Sequence, residues 1–213
     1  MRRGKRGGAT GREAVSYGSA LLDRGMSTDR TFCRFSRSPK TAAFSVTEIP
    51  ADGMCLSAFV LLTDASDSLR VLMGRLDPSA PWDRIGALDP ERVQKNAAGW
   101  MLPSCHLLYG EAPEAAARRI LGEQLELSGD LSLCGPTVFS EVGAPARHPE
   151  SRGHWDIGFL FRGSIRPEQV PRARAWRELA FVDVRRVDRA EITRSHDEVL
   201  DAAGLPPPRS TTG

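Results

Sequence analysis

Apolar positions along the chain change their period several times, and each change marks an element. From residue 42 the pattern is that of strands: 43–49, then 55–63, a polar turn over 64–67, and 69–73, so the last two runs predict a hairpin. Pro78, Pro81, Trp82 and Pro90 then break the alternation and predict an insertion loop, with one short helix near 90–95. Residues 100–102 read as an apolar strand end that must turn at Pro103, whose ring fixes φ and removes a donor. Past a loop, Pro113 with the nearby Glu111 and Glu114 gives helix-start signals, and helix formers continue to about 127. Ala117, Leu121 and Leu125 recur at every fourth position and predict the buried stripe, while Ile120, Glu123 and Gln124 share an adjoining face.

Downstream, 131–141 predicts a strand interrupted at Gly135-Pro136, followed by a polar loop over 143–153. In 154–162 strict alternation puts Trp155, Ile157, Phe159 and Phe161 on one face and His154, Asp156, Gly158 and Leu160 on the other. A basic link over 166–178, a last strand over 179–184 and an amphipathic helix over 191–203, closed by Gly204, complete the pattern. His196 and Asp197 are expected on the solvated face of that helix, because adjacent residues point apart and form no triad.

These elements predict one domain over 41–205, preceded by a basic tail over 1–40 with Arg2, Arg3, Lys5 and Arg6 among glycines and little apolar periodicity. Met26 is a second candidate start, and 206–213 reads as a flexible end. A length of 213 residues suffices for a single domain with a real core. Hydrophobic content of 40% and charged content of 26% are those of a soluble globular protein, and a net charge of +2 points to neither nucleic acid nor membrane. Cys33, Cys55, Cys105 and Cys134 lack zinc-site spacing, and with no secretory or membrane-spanning run the expected location is the cytoplasm, with reduced thiols.

The stretch 100–127 resembles the Nudix box and its surroundings. Trp100-Met101-Leu102-Pro103 is similar to the Trp-x-Leu-Pro entry of that family, and Gly110-Glu111-x-Pro-Glu-Ala-Ala to its helix start. Laid on this chain, the box places its first Glu at Glu111, its Arg at Arg119, its aliphatic positions at Leu121 and Leu127, and one helix glutamate at Glu123. The other two helix glutamates are replaced by Ile120 and Gln124, the opening glycine by Cys105 and the closing glycine by Glu126. The resemblance implies an α/β fold, an α/β/α sandwich about a central mixed sheet, with the box helix as one wall of a ligand cleft.

It also implies a small diphosphate or nucleotide-like ligand and Mg²⁺ or Mn²⁺ held on helix carboxylates. Glu123 and Glu111 are the candidate metal ligands, weak at best, because a hard dication is usually anchored by one or two carboxylates with phosphates and water. Arg119 would orient a phosphate or carboxylate. His154 or Asp156 would have to replace the missing base, and Arg75 and His106 are candidate substrate contacts. With the base worth about 10²- to 10⁴-fold in rate, hydrolysis is expected to be weak or absent. Two alternatives stand beside a binding role: an atypical hydrolase drawing ligands from outside the box, and metal-free chemistry at Cys105 or His106. A homodimer is compatible with all three.

Overall fold

The structure is a computed structural model and describes residues 34–35, 54–127, 131–142, 155–170 and 172–206. The expected strand over 43–49, the loop over 143–153, His154 and nearly all of both expected tails lie outside the described residues.

Strand β2 (Met54–Asp64) is the hub. The mixed sheet runs β5-β6-β2-β3-β7, with β1 and β4 pairing onto β2 off this path. β6 (Trp155–Ile165) lies parallel to β2, with Cys55 opposite Asp156, Ser57 opposite Gly158 and Phe59 opposite Leu160. The other edge of β2 is shared: β4 (Ser104–His106) takes its early part, Ser57 opposite His106, and β3 (Asp67–Leu76) pairs at Thr63 and Asp64. The predicted hairpin is therefore present, its turn held by Asp64, which accepts from the Ser66 backbone and hydroxyl. β1 (Arg34–Phe35) pairs with Met54 and Cys55, so the stretch read as tail contributes a short strand before residue 40. β5 (Cys134–Val142) and β7 (Trp176–Asp183) form the two ends of the sheet.

Alternation along β2 sends its residues to two cores. Ala58, Val60 and Leu62 join Leu72, Leu76, Phe161 and the helix α3 (Pro113–Arg119) on one face. Phe59 and Leu61 join Val71, Met73, Trp100, Leu102, Leu160 and the helix α4 (His196–Ala202) on the other. Helices on both faces of a mixed sheet are the layered α/β architecture that the sequence predicts. Close approach fixes two glycines: a Cβ on Gly99 would lie 2.0 Å from Thr193 Cγ2, and one on Gly74 2.2 Å from the Trp176 ring.

The insertion holds two short helices where the sequence predicts one: α1 (Trp82–Ile85), and α2 (Pro90–Asn96), whose N-cap Asp89 accepts from the Arg92 N–H. The long helix expected over 113–127 is α3 followed directly by a π-helical turn, Ile120–Gln124. The expected solvent-facing pair on α4 is buried instead. His196 is 2% exposed, accepts the Leu102 N–H at 2.8 Å and packs edge-on against Phe59, and Asp197 is ion-paired with Arg189. Among the described residues no helix is long and apolar enough to cross a membrane.

Candidate functional site

β4 leaves the sheet through a loop that turns at Gly110, φ 77°, and enters α3 at Pro113. Glu111 and Arg119 bind the two ends of this segment. Glu111 Oε1 accepts from Arg119 Nε at 2.8 Å, and Oε2 accepts from Arg119 Nη2 and from the Leu108 N–H, each at 2.8 Å. Arg119 Nη2 also donates to the His106 carbonyl. Both side chains are nearly buried, at 8% and 11% exposure. Burial works against the Arg119 charge, yet the hydrogen bonds and charge of Glu111, with Glu123 nearby, outweigh it and raise its pKa. Both oxygens of Glu111, the expected cation ligand, are engaged by loop and helix, which gives the side chain a structural role.

The helix positions differ more. Ile120 and Gln124 were expected to project from the helix beside Glu123 toward a ligand. Ile120 is 1% exposed within the core and Gln124 is fully buried. Ala116, Ile120 and Gln124, four apart and so on one side of the helix, form a second buried row alongside the predicted Ala117, Leu121 and Leu125. Gln124 Oε1 accepts the Ser104 N–H at 3.2 Å, while Nε2 donates to the Ser104 carbonyl at 2.7 Å and to the Ile85 carbonyl of α1 at 3.0 Å. The main chain of Gln124 accepts from the Trp176 indole N–H, and Trp176 packs edge-on against Trp82, their ring centres 4.9 Å apart. The insertion thus covers this side of the box helix. Glu123 is half-buried. Glu126 keeps the left-handed conformation suited to the closing glycine, φ 49°, and accepts from the Arg174 backbone and side chain.

His106 and Asp156 do come together, on the opposite face of the sheet from α3. Ser57 Oγ donates to Asp156 Oδ1 at 2.8 Å and lies 3.3 Å from His106 Nδ1. A hydroxyl has one proton, so with Asp156 receiving it the His106 Nδ1–H is the donor to Ser57. Ser57 and His106 are 6% and 5% exposed. Ser57 escaped the sequence reading; a lone hydroxyl inside the apolar run of β2 was the available signal. Arg75 also belongs to the α4 side, stacked over Trp100 at 4.5 Å with Glu178 3.6 Å away, and so does not meet Glu123 across the box helix. Cys105 points the other way, into the core, where burial pushes its thiol up to about 12. A buried thiol held in the protonated form is a poor nucleophile near neutral pH, which weighs against metal-free chemistry there.

Among the described residues, no three His, Cys, Asp or Glu side chains are grouped to hold a metal ion. The donor set does not fit Mg²⁺ or Mn²⁺: of positions 120, 123 and 124 Glu123 alone carries a carboxylate, and beside it Gln124 aims an N–H₂ group at two carbonyls. An open recess of about 630 Å³ beside Trp176 is lined by Asp77, Ser79, Arg172, Arg174 and Arg177.

No family model and no curated protein matches the chain. Among solved structures, it is similar to a MutT/Nudix family protein from Listeria innocua, at 21% identity over 72% of this chain and 92% of that one, TM-score 0.43. A Nudix hydrolase from M. smegmatis, RenU, gives 15% identity over 74% and 94%, TM-score 0.47. The E. coli dihydroneopterin triphosphate pyrophosphohydrolase gives 16% over 61% and 80%, TM-score 0.42.

Proposed function

We propose that this Nudix-like domain binds a small diphosphate-bearing or nucleotide-like ligand without hydrolysing it. The observation that carries the loss of hydrolysis is the Gln124 amide. Its Nε2 donates to the Ser104 and Ile85 carbonyls, a position in which a carboxylate would need a cation between itself and those oxygens. Ile120 deepens the loss, since it is a core residue and offers neither a ligand nor a base. The ligand class rests on the retained framework of Glu111, Arg119 and the loop between β4 and α3.

Equilibrium dialysis against a panel of nucleoside diphosphate conjugates, with and without Mg²⁺ or Mn²⁺, tests the binding, and product release on prolonged incubation tests the chemistry. Binding without product is expected. Turnover that requires the metal and disappears in Glu123→Gln would instead make the protein an atypical hydrolase.

A further inference from the structure

The recess beside Trp176 is tied together by hydrogen bonds between separate segments. The Asp77 N–H donates to the Ala175 carbonyl at 3.1 Å, and the Trp176 N–H to the Ala173 carbonyl at 3.1 Å, which stitches the turn carrying Arg174 to the chain leaving β3. Glu126 fixes Arg174: its Oε1 accepts from the Arg174 N–H at 2.9 Å and from Nε at 3.0 Å. Arg177, in β7, donates from Nη2 to the Ala97 carbonyl at 3.0 Å. A guanidinium has five N–H donors, so each of these contacts positions a fork and leaves most of it open to a ligand. Arg172, exposed, lines the same recess. Asp77 supplies an acceptor: its Oδ1 takes the Ser79 hydroxyl at 2.7 Å and the Ser79 N–H at 2.8 Å. Those two bonds hold its carboxyl below the usual carboxylate pKa, so it is ionised at neutral pH with Oδ2 left over.

We propose that this recess is a metal-independent site for a small phosphorylated sugar, its phosphate held by Arg172, Arg174 and Arg177 and one of its hydroxyls donated to Asp77. Three guanidiniums against the carboxylates of Asp77 and Glu126 leave positive charge over, and a phosphate brings about −1.5 to −2. Its oxygens match the planar guanidinium fork two at a time, and arginines already fixed by Glu126 and Ala97 lose less freedom on binding. A carboxylate repels a phosphate but accepts from a hydroxyl, so Asp77 favours a sugar phosphate over a bare anion. Trp176 is 6% exposed and offers no ring face on which a base could stack. The volume of about 630 Å³ lies within the roughly 300–1,000 Å³ of small-molecule sites. None of Glu111, Arg119 or Glu123 lines the recess, so the site goes beyond the reading above and does not depend on it.

The test is calorimetric titration of the full chain in EDTA with inorganic phosphate and with glucose 6-phosphate, which carry similar charge and differ in their hydroxyls. Wild type is expected to bind both, glucose 6-phosphate about 10-fold more tightly, and each more weakly as salt is raised. Arg172→Gln should weaken both about 3- to 10-fold. Arg166→Gln, the same change outside the recess and beside Glu168, should match wild type. Asp77→Asn keeps an oxygen for Ser79; it should tighten inorganic phosphate and erase the advantage of glucose 6-phosphate. Three results overturn the site: no binding of either phosphate by wild type, a loss in Arg172→Gln no greater than in Arg166→Gln, or the same shift for both ligands in Asp77→Asn. Nucleotide conjugates that bind while neither phosphate does would overturn the recess and leave the function proposed above standing.

Discussion

Gln124→Glu tests the central observation directly, because it changes one atom of a fully buried side chain. One oxygen can still accept the Ser104 N–H. The other then faces the Ser104 and Ile85 carbonyls at the present 2.7 and 3.0 Å, where two donated hydrogen bonds become two repulsive contacts. An uncompensated charge buried in this way costs about 3–5 kcal/mol. For a chain of this size that is a drop of roughly 6–20 °C in melting temperature. The new carboxyl would escape by holding a proton, so its folded-state pKa lies above the free value of about 4.3. The penalty is therefore smallest below that value and grows with pH by about 1.4 kcal/mol per unit until the folded-state pKa is reached. Mg²⁺ or Mn²⁺ should restore part of the loss by sitting between carboxylate and carbonyls. Thermal and urea unfolding at pH 5 and pH 8, in EDTA and in excess metal, measure each part. An unchanged midpoint at pH 8 in EDTA would refute the reasoning.

Three further outcomes follow from the described contacts. Glu111→Gln and Arg119→Met should each destabilise by about 3–5 kcal/mol, since each leaves the partner charge nearly buried, and the double variant should lose less than the sum; denaturant titration of all three decides. Alkylation at pH 8 followed by peptide mapping should label the exposed Cys134 and spare the buried Cys55 and Cys105, and prompt labelling of Cys105 would contradict its raised pKa. Burial, then the nearby Arg194 charge, holds the pKa of His196 well below its ordinary value. Below about pH 6.5 the unfolded chain takes up a proton that the folded one refuses, so stability is full above that pH and falls as pH drops, by about 1.4 kcal/mol per unit. His196→Gln, which keeps an acceptor for the Leu102 N–H, should remove that slope from the unfolding free energy.

The layered architecture was legible because it rests on apolar period: the run around Val60 and the alternation through Phe159 and Leu160 leave few alternatives once both faces must be covered. The box framework was legible as letters. Where those letters point was not. Ile120 and Gln124 are placed beside Glu123 on a ligand-facing surface by an ideal helical period, but α1 and the Trp82–Trp176 pair cover their side of the helix, and no local propensity announces that cover. Trp82 and Trp176 sat in segments read as loop and link, although a large indole in a polar stretch is seldom left in water. The Ser57, His106 and Asp156 chain needed the parallel register of β2 and β6, which joins residues about a hundred positions apart.

The hydrogen bond from Gln124 to Ile85 also bears on how such a domain can change over generations. Glutamine and glutamate codons differ by a single base, so position 124 always stands one mutation from a carboxylate. With the α1 carbonyl committed to an amide donor, that step now meets a structural barrier. Selection acting on position 124 alone would therefore keep the glutamine unless a cation came to sit between the new carboxylate and the Ser104 and Ile85 carbonyls.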